Sequence, residues 1–311
     1  MSMANRKIYR GGLAFFTRRI ASLFLFPLCL LLGSWGFWAH KHINKLAVET
    51  LPGKLKAFYE LHVDTITAWA VAPDMRRKSD KSEGCRHFID ADHYGKHPFD
   101  SIPEKWEDAV AKYSKDTLIK YGINPWHIAN MELRLTNAFK AKNVDSVIFL
   151  SADIGHYIAD AHVPLHTSMN YDGQLTDQKG IHALWEARIV ELDSNAYQFS
   201  GLKAVYLNDP LASAWKILGD SYNCLDSVLA LDKQVKQEIS KDDWTVTTTV
   251  DGREQKTFSE KYAMRYDQLL NGMIARRMRA SIVDVGSFWY TAWVNAGKPD
   301  MSKVNDNNPK N

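Results

Sequence analysis

No segment limits the fold of this chain more than Val144 to Ala161. Val147, Ile148, Phe149, Leu150, Ala152, Ile154 and Ile158 make it apolar around most of a helix, and a helix of that kind belongs inside a protein. Yet it carries His156 and Asp160 near its end, and a buried carboxylate needs a compensating partner. Residues four apart share one helix face, so these two side chains point the same way. The chain runs on through His162 and Pro164 to His166, and His182 and Glu186 then repeat the spacing. One such pair on a solvated surface is an ion pair worth roughly a few tenths of a kcal/mol. Two pairs and a further imidazole, attached to a buried helix, call for a divalent metal. Zinc is the usual choice, taking imidazole nitrogen and carboxylate oxygen at ~2.0–2.2 Å.

The rest of the sequence reads as mainly α, a single-domain multi-helix fold with long loops and one small β-hairpin. Apolar periodicity predicts helices over Trp38–Leu51, Lys54–Ala72, Glu104–Lys120, Trp126–Ala141, Val144–Ala161, His182–Asp193, Leu211–Ile239 and Glu260–Asn295. Pro73 is expected to stop the second of these. Asp74 to Pro103 reads as a long irregular stretch, and loops of that length in a compact domain commonly carry function. Alternating β-branched residues ahead of Asp251-Gly252 give a hairpin signal. Trp106, Trp126, Trp215, Trp289 and Trp293 read as core residues.

The first 34 residues differ from the rest. Arg6, Lys7, Arg10, Arg18 and Arg19 precede an apolar run from Ile20 to Gly33, and no acidic residue interrupts them. This is the layout of a secretory signal peptide; the alternative is an uncleaved membrane anchor. The expected division is therefore a signal over 1–34, a functional domain over 35–297 and a polar tail over 298–311. Removing the signal takes the formal net charge from +3 to −2, so no basic surface suited to duplex DNA is expected. Arg76-Arg77-Lys78 reads as a solvated loop. Cys85 and Cys224 remain after cleavage, and in an oxidising compartment they either pair or stay free.

Further metal-type residues lie upstream: Trp35 and His40 at the start of the mature chain, Asp74 after Pro73, and His87-Phe88-Ile89-Asp90 in the long loop. Taken in order with the two helical pairs, they resemble the zinc-dependent phospholipase C / single-strand-specific nuclease superfamily over residues 35–186. The resemblance implies three zinc ions. Asp74, His87, His156 and Asp160 would hold the first, and His166, His182 and Glu186 the second. The third would take the α-amino nitrogen and carbonyl oxygen of Trp35, His40 and a shared oxygen of Asp160. It also implies phosphoester hydrolysis by an activated water, with Asp74 and Asp160 as the catalytic carboxylates and no organic cofactor. A free terminal amine at Trp35 requires cleavage, which makes the expected location secreted or periplasmic.

The expected partner is a phosphoester, either single-stranded nucleic acid or a nucleotide, or else a phospholipid. No obligate protein partner is evident. The Trp35-x4-His40 spacing resembles the nucleases, whereas Glu186 matches the phospholipases. Phe88, directly after His87, either stacks a base as a substrate-binding residue or packs into the interior. His162 falls off the metal face and reads as structural or as a residue that supports a ligand from behind. His42, His62, His93, His97 and His127 read as surface or loop residues, and Asp90 and Asp92 as turn residues or residues that back the ligands, with metal contact as the alternative. A metal-binding protein without turnover and a membrane-anchored interaction protein are the competing classes.

Overall fold

The computed structural model describes residues 37–250 and 253–302. Four short helices come first: α1 (Phe37–Glu49), α2 (Gly53–Glu60), α3 (Val63–Trp69) and α4 (Ala72–Arg76). Turns then lead through α5 (Pro98–Ser101), α6 (Trp106–Tyr113) and α7 (Lys115–Tyr121) to the longer α8 (Asn124–Lys140) and α9 (Val144–Ala161). Next come α10 (Ile181–Ala183), a π-helical turn over Leu184–Arg188 and α11 (Ile189–Leu192). The long α12 (Pro210–Glu238), the hairpin β1 (Thr245–Val250) and β2 (Arg253–Phe258), α13 (Glu260–Leu270) and α14 (Met273–Asn295) complete it. The protein is mainly α, a single multi-helix domain with one antiparallel two-stranded sheet among the described residues.

Helix α9 is the axis of the fold, because α1, α3, α4, α8, α12 and α14 all pack on it. Its first turn is capped by the Asn143 side chain, which accepts from the Ser146 amide at 2.9 Å. Val147, Ile148, Leu150, Ile154 and Ile158 are buried. At ~1.5–3 kcal/mol per large aliphatic side chain their burial contributes on the order of 10 kcal/mol before chain entropy, an upper bound. Gly155 lets α1 come close. A methyl group there would collide with the Asn44 amide, which instead donates to the Ala152 carbonyl at 3.1 Å. A glycine in mid-helix costs ~1 kcal/mol against alanine, and here it allows α1 to set His40 beside the end of α9.

Several expected helices are divided. The span 54–72 breaks at Leu61-His62, where no glycine or proline marks the turn. Pro73 stands in the first turn of α4 instead of ending α3, since a proline there lacks only an amide that would have no helical partner. Residues 104–120 divide at Ser114, whose φ is +70°. Residues 260–295 divide at Asn271 and Gly272, both left-handed, the conformation that ends many helices. The hairpin pairs Thr245 with Phe258; its Asp251-Gly252 turn lies outside the described residues, as do 1–36 and 303–311. Trp126, Trp215 and Trp289 are core residues, with Trp106 and Trp293 packed at its edge. Cys85 and Cys224 are free thiols, bonded separately to the Ser82 and Asp220 carbonyls. No helix among the described residues is long and apolar enough to cross a membrane.

Candidate metal centre

Seven separate pieces of chain deliver the candidate ligands. His40 comes from α1, Asp74 from the first turn of α4, and His87 from just beyond a 3-10 turn at Gly84–Arg86. His156 and Asp160 occupy the last turns of α9, and His166 a 3-10 turn over Pro164–Thr167. His182 sits on α10 and Glu186 in the π turn. An α-helix was expected across His182–Asp193. The wider turn lets the neighbouring Trp185 and Glu186 both face inward, and π turns recur at functional sites. Two ties fix the loop carrying His87. The Ile89 amide donates to the His166 carbonyl at 3.0 Å, and Asn124 Nδ2 donates to the Arg86 and Tyr157 carbonyls at 3.0 and 3.1 Å.

Asp160, 2 % exposed, lies at the middle. Its Oδ2 is 2.8 Å from His87 Nδ1 and 3.3 Å from His156 Nε2. Its Oδ1 faces the other way, 3.4 Å from His40 Nε2 and 3.9 Å from His166 Nε2. Asp74 closes one end, with Oδ1 at 3.8 Å from both His87 Nδ1 and His156 Nε2. Glu186 closes the other: 2.7 Å from His182, 3.2 Å from His40 and 3.6 Å from His166. Donor atoms thus gather within 4.8 Å in four overlapping groups: His40–Asp74–His156, His87–His156–Asp160, His40–Asp160–Glu186 and His166–His182–Glu186. Trp35 lies outside the described residues.

The chemistry of this donor set suits metal ions. Ligand bonds of ~2.0–2.2 Å in a tetrahedron place neighbouring ligand atoms ~3.3–3.6 Å apart, and most of the spacings above lie near that range. The tautomers agree. His156 Nδ1 donates to the Ala70 carbonyl at 2.9 Å and His182 Nδ1 to the Tyr171 carbonyl at 3.1 Å. That directs the Nε2 lone pair of each ring toward a carboxylate, an arrangement that needs a cation between them. The carboxylates show the same demand. Burial works to raise Asp160, but the His156 and His166 charges, with hydrogen bonds from His156 and His87, hold it well below the usual carboxylate range. Burial likewise opposes the ionised form of Glu186, and hydrogen bonds from His166, His182 and His40 overcome it. His87 and His156 are raised against their own burial, His87 by its bonds to Asp160 and Glu83, His156 by the charges of Asp160 and Asp74. Protonating both rings would set two N–H groups against each other, since His87 Nδ1 and His156 Nε2 are 3.1 Å apart. A shared metal removes that conflict.

Behind His87 lies a network that the sequence reading missed. Glu83 has no exposed surface. It sits 3.5 Å from His87 Nε2, and Tyr157, Arg76 and Arg86 all donate to it. Arg76 also forks onto Asp153 at 2.7 and 3.2 Å, and its guanidinium lies over the Phe149 ring at 5.6 Å. Burial would raise Glu83, yet His87, Tyr157 and the two arginines hold it far below its ordinary value. Arg76 is therefore not part of a solvated loop, although Arg77 and Lys78 of the same basic run are exposed. Asp153 was detectable, being a second carboxylate within the apolar run of α9. Glu83 had no such signal.

The other expectations divide. His162 is buried and bonds Asp284 at 3.0 Å, clear of the ligands. His127 is not a surface residue: it packs edge-on against Tyr157, and burial pushes it down to about 3. His42 is part-buried on α1, with Nε2 donating to the Tyr197 carbonyl at 2.8 Å. His93 and His97 are exposed in the loop. Asp92 accepts from Ser168 Oγ at 2.7 Å and the Met169 amide at 3.0 Å, bracing two loops. Phe88 is half-buried outside the hydrophobic core, its ring against Gly122, where a side chain would collide with it.

No family model and no curated protein matches the chain. Among solved structures it is similar to the alpha-toxin of Clostridium perfringens, from an avian strain. The two are 14% identical with a TM-score of 0.52, over 86% of this chain and 65% of the toxin. The alpha toxin of Clostridium absonum aligns at 12% identity and a TM-score of 0.48, over the same shares of each chain. The chain thus spans 65% of the length of the toxins it matches. The likeness to the Clostridium perfringens toxin is one of fold.

Proposed function

We propose that this chain is a zinc-dependent phosphoester hydrolase. The observation that carries the reading is Asp160, whose two oxygens each face a different pair of imidazoles. One carboxylate shared between metals suits catalysis, because storage has no need of a bridged site. In this reading Asp74, His87, His156 and Asp160 hold one zinc, and His166, His182 and Glu186 hold another. His40 and Asp160, with the amine and carbonyl of Trp35, hold a third. Residues 1–34 are then a signal removed before Trp35, residues 35–297 the exported enzyme and 298–311 its tail.

Zinc bound there supplies Lewis acidity toward a phosphoryl group and toward water. The protein's own residues do the rest. Asp160 is buried and fully engaged, so it fixes spacing and offsets charge. Asp74 has the more exposed carboxylate, its side chain 29% open beside the cluster. It can therefore orient an incoming water and take its proton. The hydrogen bonds of His156 to Ala70 and of His182 to Tyr171 keep both rings in the tautomer that ligation needs.

Two observations bear on the substrate. Glu186, which the superfamily resemblance matches to the phospholipases, favours a phospholipid. The half-buried Phe88 ring beside His87 favours a nucleobase stacked next to the scissile phosphate, which would require a single strand. The test is a hydrolysis panel on the zinc-loaded protein with single-stranded DNA, RNA, a 3′-nucleotide and phosphatidylcholine. Hydrolysis of at least one, abolished by a chelator and restored by zinc, is expected. A zinc-loaded protein inert toward all four would overturn the proposal. Phe88→Ala should raise KM for nucleotides and spare a small generic phosphodiester; equal losses on both would assign Phe88 to packing.

A further inference from the structure

His40 differs from the other buried imidazoles of the cluster. His156 has the Ala70 carbonyl on its second nitrogen, and His87 has Glu83 near its own. His40 Nδ1 is buried with no hydrogen-bond partner among the described residues. Of the other buried polar atoms in that condition, three lie on residues around one space that are themselves at least nine-tenths buried: His162 Nδ1, Trp185 Nε1 and Ser281 Oγ. All four residues line one cavity of about 30 Å³ between α1, the end of α9, the π turn and α14. The remaining wall is largely apolar, with Val163 and Met278 among it. A buried polar group without a partner costs ~1–3 kcal/mol, and four around one space point to an occupant.

We infer that this cavity holds a single ordered water that joins His40, Trp185, His162 and Ser281 and fixes the His40 ring. The space suffices, since ~10–15 Å³ accommodates one water. The donors and acceptors match as well. Trp185 Nε1 can only donate. His162 Nε2 bonds the Asp284 carboxylate at 3.0 Å, so it carries the proton and leaves Nδ1 as an acceptor. Ser281 Oγ serves in either sense. If His40 Nε2 is a metal ligand, a point that rests on the function proposed above, Nδ1 carries the proton and donates. The water then accepts from His40 and Trp185 and donates to His162 and Ser281, filling all four of its positions. Arg277 also borders the space, but its Nε donates to the His162 carbonyl at 3.0 Å. An anion there would face the His162 lone pair. Water is the occupant that satisfies every group.

Diffraction from the metal-free and the zinc-loaded protein, at roughly 1.5 Å or better, tests this without any variant. A water peak within ~3.2 Å of His40 Nδ1, Trp185 Nε1 and His162 Nδ1 is expected in both forms. A dry cavity, a side chain collapsed into it or halide-strength density would overturn the inference. Ser281→Val places two methyls in the space and should expel the water, and partners of this kind change metal affinity ~10–100-fold. One zinc should then be lost at correspondingly lower chelator concentration while the others are retained, and Ser281→Ala, which leaves room for the water, should change less. Unaltered zinc retention in a folded Ser281→Val protein would refute the positioning role. If Ser281→Val does not fold, the wild-type density decides. Water in place beside a centre that never binds zinc would count against the function proposed above and leave the water site standing.

Discussion

The two ends of the candidate metal cluster are held by different means. At the His87–His156 end, the rings are backed by side-chain charge: Glu83 lies at the centre of Arg76, Arg86 and Tyr157, and Arg76 reaches on to Asp153. At the His182–Glu186 end no such network stands behind the rings among the described residues. His182 is set by a backbone carbonyl and Glu186 by the π turn that carries it. Buried charge is held strongly only while every partner remains, and removing one strands the rest. Backbone contacts ask less of any single side chain. The first end should therefore be rigid and sensitive to substitution, and the second more tolerant.

Asp160→Asn should have the largest effect, because Asp160 serves both ends. Zinc content should fall at more than one site and turnover to background. His182→Ala should remove only the zinc of the His166–Glu186 group. Equal zinc loss in the two variants, by elemental analysis, would break the comparison. Glu83→Gln comes next. It weakens the acceptor for two arginines and a tyrosine, at ~3 kcal/mol for a disrupted buried ion pair, and should weaken zinc binding at the His87 end ~10–100-fold. Chelator titration and thermal melting would measure both, and a variant as stable and as zinc-tight as the parent would show that the network is ornamental.

Gly155→Ala should be milder, ~1–3 kcal/mol for an overpacked core site, with His40 displaced from Asp160; an unchanged melting temperature would show that α1 does not depend on that close approach. A further effect, visible only as a pH dependence, belongs to Asp90, which lies in the same loop as Glu83 and has no cation beside it among the described residues. Burial and then Asp92 push its carboxyl up to about 7. A folded pKa above the unfolded value of ~3.9 means that the native state binds the proton more tightly, so stability declines as pH rises from about 4 to about 7. Asp90→Asn should flatten that decline. Parallel stability profiles for parent and variant would show that the carboxyl is already ionised in the fold.

The same contrast explains what was legible in the sequence. Helix α9 announces itself, since an apolar run of helical length can only be buried, and its His156–Asp160 pair follows from a four-residue spacing. His182 and Glu186 were readable for the same reason, although the π turn was not, because local propensity does not encode an inserted residue. His40, Asp74 and His87 became candidates only through their order along the chain; no periodicity links a loop residue to a helix that it meets in space. Glu83 and Arg76 carried no local signal at all. Their roles come from tertiary contact, and a basic run in a loop looks the same whether it is solvated or folded onto Asp153. The long predicted helices at 54–72, 104–120 and 260–295 failed at their breaks, where Ser114 and Asn271-Gly272 were the overlooked marks.

In the proposed function these eight side chains, with the amine of a chain beginning at Trp35, form a zinc centre. Elemental analysis of the purified, active protein tests it most directly, read together with the mass of its N-terminus. About three zinc ions per chain, a first residue of Trp35, and loss of stability when a chelator strips the metal are expected. One metal ion or none in active protein, or residues 1–34 still attached to it, would rule out the three-zinc centre.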